Sequence, residues 1–246
     1  MAWRPVWRRP TVAGMKTRTH LARWAALALL IAAAAPAAAR AAGPAVLPPT
    51  ARPYGHTYSE WAARWWQWGL TQPDAAPLFD TDGSHCADGQ AGPVWFLAGS
   101  FTSKPVFRRC TVPAGRALLF PVVNTGQFEF PDDPPKDKTE AALRAVVNPP
   151  VRAATDLTAT IDGVSVPDIK ARYFEESVIF RFVAPAGNLF LLPEGTEVGP
   201  NADAGYYLVV PPLPVGRHTV HFSGVLPVPP DSSLTVDVTD EITVAP

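Results

Sequence analysis

The chain has 246 residues and a formal net charge of −1, but its charges are unevenly distributed. Residues 1–41 hold seven of the 21 Lys and Arg residues and none of the 22 Asp and Glu residues, so the remaining 205 residues carry a net charge of −8. An acidic surface repels phosphate backbones and anionic lipid, which argues against nucleic acid and membrane surfaces as partners. A segment of this length is sufficient for one domain with a sizeable core.

The N-terminal segment has the pattern of a secretory signal peptide. A basic segment (16–23) precedes an apolar run (25–35), and a small-x-small motif at 39–41 predicts cleavage after Ala41. The apolar run is too short for a comfortable membrane span, which takes about 20 residues. We therefore expect residues 1–41 to be removed, and the mature protein to be exported to the periplasm or the medium without a transmembrane anchor.

A Pro/Ala-rich segment, 42–56, is predicted to be an extended arm, and a tryptophan-rich helix follows it. Thr57 and Glu60 form a capping-box pattern at the start of this helix, and the turn residues "TQPD" (71–74) end it. On a helical wheel, Glu60 and Arg64 are also placed to form an i,i+4 ion pair. Residues 57–246 are predicted to form one domain with a helical N-terminal part.

The helix "YSEWAARWWQWGL" raises the question of whether its four indoles form a core or a binding surface. Trp61, Trp65 and Trp68 fall in one stripe of the wheel, which predicts core packing. Trp66 lies about 100° from Trp65 on that wheel. We therefore interpret Trp66 as a candidate ligand-binding residue, at the edge of a pocket with His56 or Asn124.

Two cysteines, Cys86 and Cys110, remain after the predicted cleavage, and in an exported chain they are predicted to form one disulfide. The alternative, a redox or nucleophilic thiol, lacks a C-x-x-C partner. The loop "DTDGSHCAD" has acidic spacing similar to that of a calcium loop, but His85 replaces the turn glycine and Ala91 replaces the bidentate glutamate. A solvated acidic loop is the favoured interpretation, with Asp82 and His85 as ligand-binding candidates and no metal or cofactor predicted.

Apolar runs bounded by turn residues follow this loop and predict strands in 93–99, 105–112 and 116–123. A second, short helix is predicted at about 138–147, ended by "NPP". Five further strand candidates follow it, the first of which ends in Asp162-Gly163, a hairpin signal. The fold class is therefore mainly β: an immunoglobulin-like or related β-sandwich with an N-terminal Trp-rich helix and one further short helix.

Four segments, "YSEWAARWWQW", "GPVWFLAGSF", "RRCTVPAGRALLFPVVN" and "PLPVGRHTVHFSG", resemble those of a group of predicted secreted bacterial proteins of unknown function. The resemblance covers most of the chain after residue 41. It implies export and a shared fold, and it carries no catalytic residues to this sequence.

Two functions of different class fit these observations. The first is a non-catalytic secreted protein that binds a glycan or an envelope component on aromatic side chains beside the Gly/Asp-rich loop. The second is a secreted hydrolase that uses Glu129, Asp132 or Asp82 as acid and base, which requires two carboxyl groups across a cleft. We favour the first, with no catalytic residues assigned, because no recognised nucleophile motif is present.

Overall fold

The computed structural model describes residues 46–228 and 230–246. The predicted signal peptide, its cleavage site and the first four residues of the predicted arm lie outside the described residues. The described chain is mainly β, with two five-stranded sheets and few helices, which confirms the predicted class. Within these residues, no helix has both the length and the apolar character needed to cross a membrane.

The secondary structure elements are numbered in chain order. The helices are α1 (Tyr58–Leu70), α2 (Ala76–Phe79), α3 (Glu140–Ala153) and α4 (Ile169–Arg172). The strands are β1 (Val94–Phe96), β2 (Val106–Pro113), β3 (Ala117–Gln127), β4 (Thr155–Ile161), β5 (Val164–Ser165), β6 (Phe174–Glu176), β7 (Phe180–Val183), β8 (Glu197–Val210), β9 (Gly216–Val228) and β10 (Ser232–Ala245).

The first sheet has the order β1-β3-β8-β6, and β7 also pairs with β8. The second sheet has the order β2-β10-β9-β4-β5. β1 pairs with β3 and β2 with β10 in parallel, whereas the other neighbours are antiparallel. Phe120 on β3 stacks on Phe222 on β9 with ring centroids 4.8 Å apart, so the two sheets meet in a sandwich-like core.

The hairpin signal at Asp162-Gly163 is confirmed. Thr160 pairs with Ser165 and Ile161 with Val164, and both turn residues have positive φ, 50° and 75°. Positive φ at both central positions is the geometry of the type I′ turn, for which Asp-Gly is a favoured sequence. The local sequence therefore determines this connection.

The prediction that "NPP" ends the second helix is wrong, because α3 continues through both prolines to Ala153. Contacts on both sides of the prolines hold the end of the helix. Val151 is fully buried, and Asn148 Nδ2 donates to Glu176 Oε1 on β6 at 2.7 Å. Arg152 places its guanidinium 3.9 Å from the Phe174 ring centroid. Packing of α3 on β8, β3 and β9, together with these contacts to β6, thus outweighs the hydrogen bonds that the prolines cannot make.

The predicted disulfide is confirmed: Cys86, in the loop before β1, is bonded to Cys110 on β2, with the Cα atoms 6.1 Å apart. The bridge closes a loop whose ends are 24 residues apart in the sequence. It therefore ties the Gly/Asp-rich loop to the second sheet.

We expect the double variant Cys86→Ser/Cys110→Ser to lose roughly 3 kcal/mol of unfolding free energy, because an open loop restores entropy to the unfolded chain. Urea denaturation of the variant and of the oxidised wild type measures this loss. Peptide mapping of the wild type without reductant is the control. Two free thiols in that map, or an unchanged urea midpoint, would contradict the prediction.

Candidate functional site

A groove runs between the outer side of α1 and the loop that precedes β1, and its volume is about 460 Å³. Its lining combines an aromatic floor, a polar rim and a glycine-rich edge. The lining residues are Tyr54, His56, Trp61, Arg64, Gln67, Trp68, Thr71, Gly89, Ala91, Gly92, Pro93 and Phe96.

Helix α1 positions the floor of the groove. The predicted capping box is confirmed: Thr57 N–H donates to the Glu60 carboxylate at 2.7 Å, and Glu60 N–H donates to Thr57 Oγ1 at 3.1 Å. Trp61 and Trp68, on the wheel's apolar stripe, both pack against Phe96, with ring centroids 6.0 and 5.4 Å apart. The floor is therefore formed where the helix stripe meets the end of β1.

The indole nitrogens of the floor are fully used inside the protein. Trp61 Nε1–H donates to the Pro53 carbonyl at 3.0 Å, and Trp68 Nε1–H donates to the Asp88 carbonyl at 2.8 Å. Both rings are buried, so little of either indole is open to the groove. These bonds fix the rings before any ligand arrives and leave the floor purely apolar.

Tyr54 is the open aromatic ring of the groove, at 45% exposure. It lies in the short 3₁₀ turn Pro53–Gly55 with a φ of 53°, in the left-handed region. An aromatic residue rarely adopts this conformation, and strained backbone concentrates at binding sites. The turn thus holds a large exposed side chain beside the floor at a cost in backbone strain.

The rim of the groove carries the polar groups. The His56 ring meets the Trp61 ring edge-on at 5.2 Å, and the Arg64 guanidinium lies 5.5 Å from the Trp61 ring centroid. Gln67 Nε2 donates to the Arg181 carbonyl at 2.8 Å. Hydrogen-bonding side chains therefore border an apolar floor, as is usual in small-molecule sites.

The predicted ion pair between Glu60 and Arg64 is wrong. The Glu60 carboxylate turns back to the helix start, where it closes the capping box and lies 3.6 Å from His56 Nδ1 and 3.9 Å from Arg52 Nη2. Because the capping box holds the Glu60 carboxylate, Arg64 does not pair with it. The Arg64 guanidinium instead lies exposed over the Trp61 ring.

A second recess, of about 540 Å³, lies on the opposite side of the same exposed helix face. Its lining shares His56, Arg64 and Gln67 with the groove. The other lining residues are Glu60, Ala63, Val178, Ile179, Phe180 and Arg181. The two recesses thus flank one row of polar side chains on α1.

Trp66 occupies a different environment from the one its wheel position suggested. It is 4% exposed, and its Nε1–H donates to Asp203 Oδ1 on β8 at 2.7 Å. Tyr207 O–H donates to Asp203 Oδ2 at 2.9 Å, and Asn124 Nδ2 donates to the Tyr207 oxygen at the same distance. The sector of α1 that carries Trp66 therefore faces the first sheet, where Trp66 joins a buried polar cluster.

Asp203, at the centre of this cluster, is fully buried. Burial raises the pKa of its carboxyl to about 7, against the opposing effect of the hydrogen bonds from Trp66 and Tyr207 and the charge of Arg144. Asp203 was not singled out in the sequence, because "GPNADAG" reads as a turn-rich loop and no apolar alternation marks it as a central strand.

The five predicted ligand-binding residues do not converge. His56 lines both recesses beside α1, whereas Trp66 and Asn124 belong to the Asp203 cluster. Asp82 and His85 are exposed on the Gly/Asp-rich loop. The expectation that Trp66 lies at the edge of a pocket with His56 is not met by the geometry.

The Gly/Asp-rich loop is organised by its own carboxylates. The buried Asp80 accepts hydrogen bonds from the backbone N–H groups of Asp82, Gly83 and His85. Asp82 accepts from Ser84 N–H, which lowers the Asp82 pKa, and the hydrogen bond with Asp88 raises the His85 pKa. Across residues 46–228 and 230–246, no three His, Cys, Asp or Glu side chains are grouped to hold a metal ion.

The carboxylates considered for hydrolysis are separated. Glu129 is 4% exposed, accepts from Gln127 Nε2 at 3.0 Å and lines a recess of about 260 Å³ with Asp133 and Asp137. Asp132 is exposed and does not line that recess, and Asp82 lies on the Gly/Asp-rich loop. The acid and base pairs proposed from the sequence therefore do not face each other across any recess described above.

The fold and the groove together define a mainly β, disulfide-bonded protein with a preformed aromatic groove beside a tryptophan-rich helix. No family model matches the chain, and comparisons with curated proteins and with solved structures find no match. The immunoglobulin-like topology thus stays a prediction, and function is argued from the groove.

Proposed function

We propose that the protein is an exported, non-catalytic binding protein whose groove beside α1 holds a glycan of the cell envelope or its surroundings. The observation that carries this proposal is the groove itself, in which the exposed ring of Tyr54 lies with the buried aromatic residues Trp61, Trp68 and Phe96. The signal-peptide pattern in 1–41 and the Cys86–Cys110 disulfide support export.

Sugar rings combine an apolar C–H face with a polar perimeter of hydroxyl groups. The groove offers the matching surfaces: an apolar aromatic floor whose N–H groups are already satisfied, and rim donors and acceptors at His56, Arg64 and Gln67. Hydrogen bonds to Pro53 and Asp88 fix the floor in advance, so binding orders few side chains. This geometry favours a ligand that stacks on the open ring of Tyr54, lies on the apolar floor and hydrogen-bonds at its edge.

The hydrolase alternative has less support. A glycosidase needs two carboxyl groups about 5–10 Å apart across the scissile bond. Among the described residues, the only carboxylate that lines the groove or the second recess is Glu60, whose oxygens close the capping box. The recess of about 260 Å³ that Glu129, Asp133 and Asp137 line has no aromatic side chain on which a sugar could stack. We therefore propose binding without bond cleavage.

We expect Tyr54→Ala to weaken binding of the best oligosaccharide found on a glycan array by about tenfold, because the open stacking ring is lost. The melting temperature should change little, since Tyr54 is largely exposed. Titration calorimetry with that oligosaccharide measures the affinity.

The matched control is Phe107→Ala, since Phe107 is similarly exposed, at 43%, but lies on β2 outside the groove. The control should bind like wild type. If Tyr54→Ala and wild type bound the oligosaccharide with equal affinity, the groove would not be its binding site. Wild-type protein that retains no oligosaccharide on the array would overturn glycan binding itself.

A further inference from the structure

We propose that the ligand is an acidic oligosaccharide, and that Arg64 binds the carboxylate of one of its sugar units where the groove and the second recess meet. This inference rests on the proposed function and specifies the class of glycan. It depends on the position of Arg64, on its lack of an ion-pair partner within the described part of the chain, and on the two recesses that it borders.

Arg64 is the uncompensated charge of this surface. The residues that line the two recesses all lie in the described part of the chain, and the acidic and basic side chains among them are those of His56, Glu60, Arg64 and Arg181. Glu60 lies within 4.0 Å of Arg52 and His56, and Arg181 pairs with Glu197 at 2.8 Å. Among the residues that the structure describes, Arg64 alone of the four has no group of opposite charge within 4.0 Å.

The guanidinium of Arg64 is also the strongest donor left for a ligand. The Trp61 and Trp68 N–H groups donate to backbone carbonyls, and Gln67 Nε2 already donates to the Arg181 carbonyl. The planar guanidinium matches a carboxylate bidentately, and such charge-assisted bonds are stronger than neutral ones. A ligand that satisfies this side chain therefore carries an anion.

The position of Arg64 over an aromatic ring fits an anion on a sugar better than a free anion. Its guanidinium lies 5.5 Å from the Trp61 ring centroid, beside the groove where a sugar ring would stack. A carboxylate attached directly to a stacked pyranose, as in a uronic acid, can reach the guanidinium while the ring remains on the aromatic floor. A phosphate or a small carboxylate alone would leave that floor uncovered.

The two recesses set the length of the ligand. They have volumes of about 460 and 540 Å³ and share His56, Arg64 and Gln67 as a common border. One sugar unit occupies only part of either recess. A chain of sugars that crosses α1 at Arg64 places units on both sides, so an oligosaccharide fits this surface better than a monosaccharide.

The test uses a panel of uronate-containing oligosaccharides, each paired with its methyl ester, and the disulfide-bonded mature protein. Esterification keeps the sugar backbone and removes the charge. We expect wild type to bind at least one free acid about tenfold or more tighter than its ester, and Arg64→Gln to lose this preference. Added salt should weaken binding of the acid more than of the ester.

The matched control is Arg217→Gln, because Arg217 is exposed, has no ion pair among the described residues and lies outside both recesses. It should keep the preference for the acid. Equal binding of acids and esters by wild type, or an unchanged preference in Arg64→Gln, would overturn this inference while leaving glycan binding in place. Failure of wild type to bind any acidic, esterified or neutral oligosaccharide would contradict the proposed function instead.

Discussion

Trp66→Ala should destabilise the protein as severely as Trp65→Ala, by about 3–5 kcal/mol each. Both indoles are buried, at 4% and 1% exposure, and each donates a hydrogen bond: Trp66 to Asp203, and Trp65 to the Leu97 carbonyl at 2.9 Å. Removing Trp66 also takes one of two donors from a fully buried carboxyl, which adds the cost of an unsatisfied polar group. A typical domain has about 5–15 kcal/mol of stability, so both variants should be near their folding limit at 25 °C.

Urea denaturation followed by far-ultraviolet circular dichroism measures both losses without depending on the deleted fluorophore. Tyr54→Ala is the control, because it removes an exposed aromatic side chain from the same region. Its urea midpoint should equal that of wild type. A Trp66→Ala variant with near-native stability and lost ligand binding would contradict the burial of Trp66 on β8. It would restore Trp66 as a binding residue.

The elements that the sequence predicts well are those whose signal is local. The capping box of Thr57 and Glu60, the stripe of Trp61, Trp65 and Trp68, and the Asp-Gly hairpin depend on neighbouring residues, and each has the expected geometry. The signal-peptide pattern and the single cysteine pair predict the disulfide, and it is present. These features need no knowledge of what lies across the fold.

The elements that the sequence does not predict depend on distant contacts. β8 begins at Glu197, well before the apolar run "GYYLVV", and its segment 201–204 is fully buried although two of its four residues are polar. Nothing local indicates this, because the partners come from elsewhere in the chain: Asp203 Oδ1 accepts from Trp66 on α1, and Asn201 Oδ1 accepts from the Glu129 backbone N–H after β3. The Asp203 backbone N–H donates to Ser177 Oγ, just after β6. The helix α3 passes "NPP" for the same reason: its last turn is held by β6.

In the candidate site, too, the features with a local sequence signal are predicted and those that depend on distant contacts are not. The sequence indicates aromatic residues near a Gly/Asp-rich loop, and that juxtaposition is present in the groove, but with Trp61 and Trp68 rather than Trp66. A helical wheel gives the angle between two side chains, but it does not show which sector faces a sheet. Arg64 was missed because its expected partner, Glu60, has the correct spacing on the wheel and is instead used by the cap.

Asp203→Asn should make the protein more stable than wild type at pH 8 and should change its stability little at pH 4. Burial raises the pKa of the Asp203 carboxyl from its ordinary value of 3.8 to about 7 in the folded protein. The stabilisation linked to this raised pKa is complete below pH 4, where the group is protonated in both states. It is lost as pH rises toward 7, because the unfolded chain releases the proton first, and it stays lost at higher pH.

Asparagine has the shape of the neutral acid, and its amide oxygen can accept from Trp66 while its amide nitrogen donates to the Tyr207 oxygen. The Arg144 guanidinium contacts the Asp203 backbone carbonyl at 3.2 Å, a bond that the substitution leaves in place. The difference in unfolding free energy between variant and wild type should therefore grow by a few kcal/mol between pH 4 and pH 7.

Urea titrations of both proteins at one-unit steps from pH 4 to pH 8 measure this difference. Burial also raises the pKa of Glu175 to about 7 and of Asp240 to about 6, so wild type and Asp203→Asn should both lose stability over this range, the variant less steeply. Asp132→Asn, at an exposed carboxyl, is the control, and its unfolding free energy should change with pH as that of wild type does. A constant difference between Asp203→Asn and wild type at every pH would show that Asp203 is ionised throughout, and that Arg144 and the donors of the cluster overcome its burial.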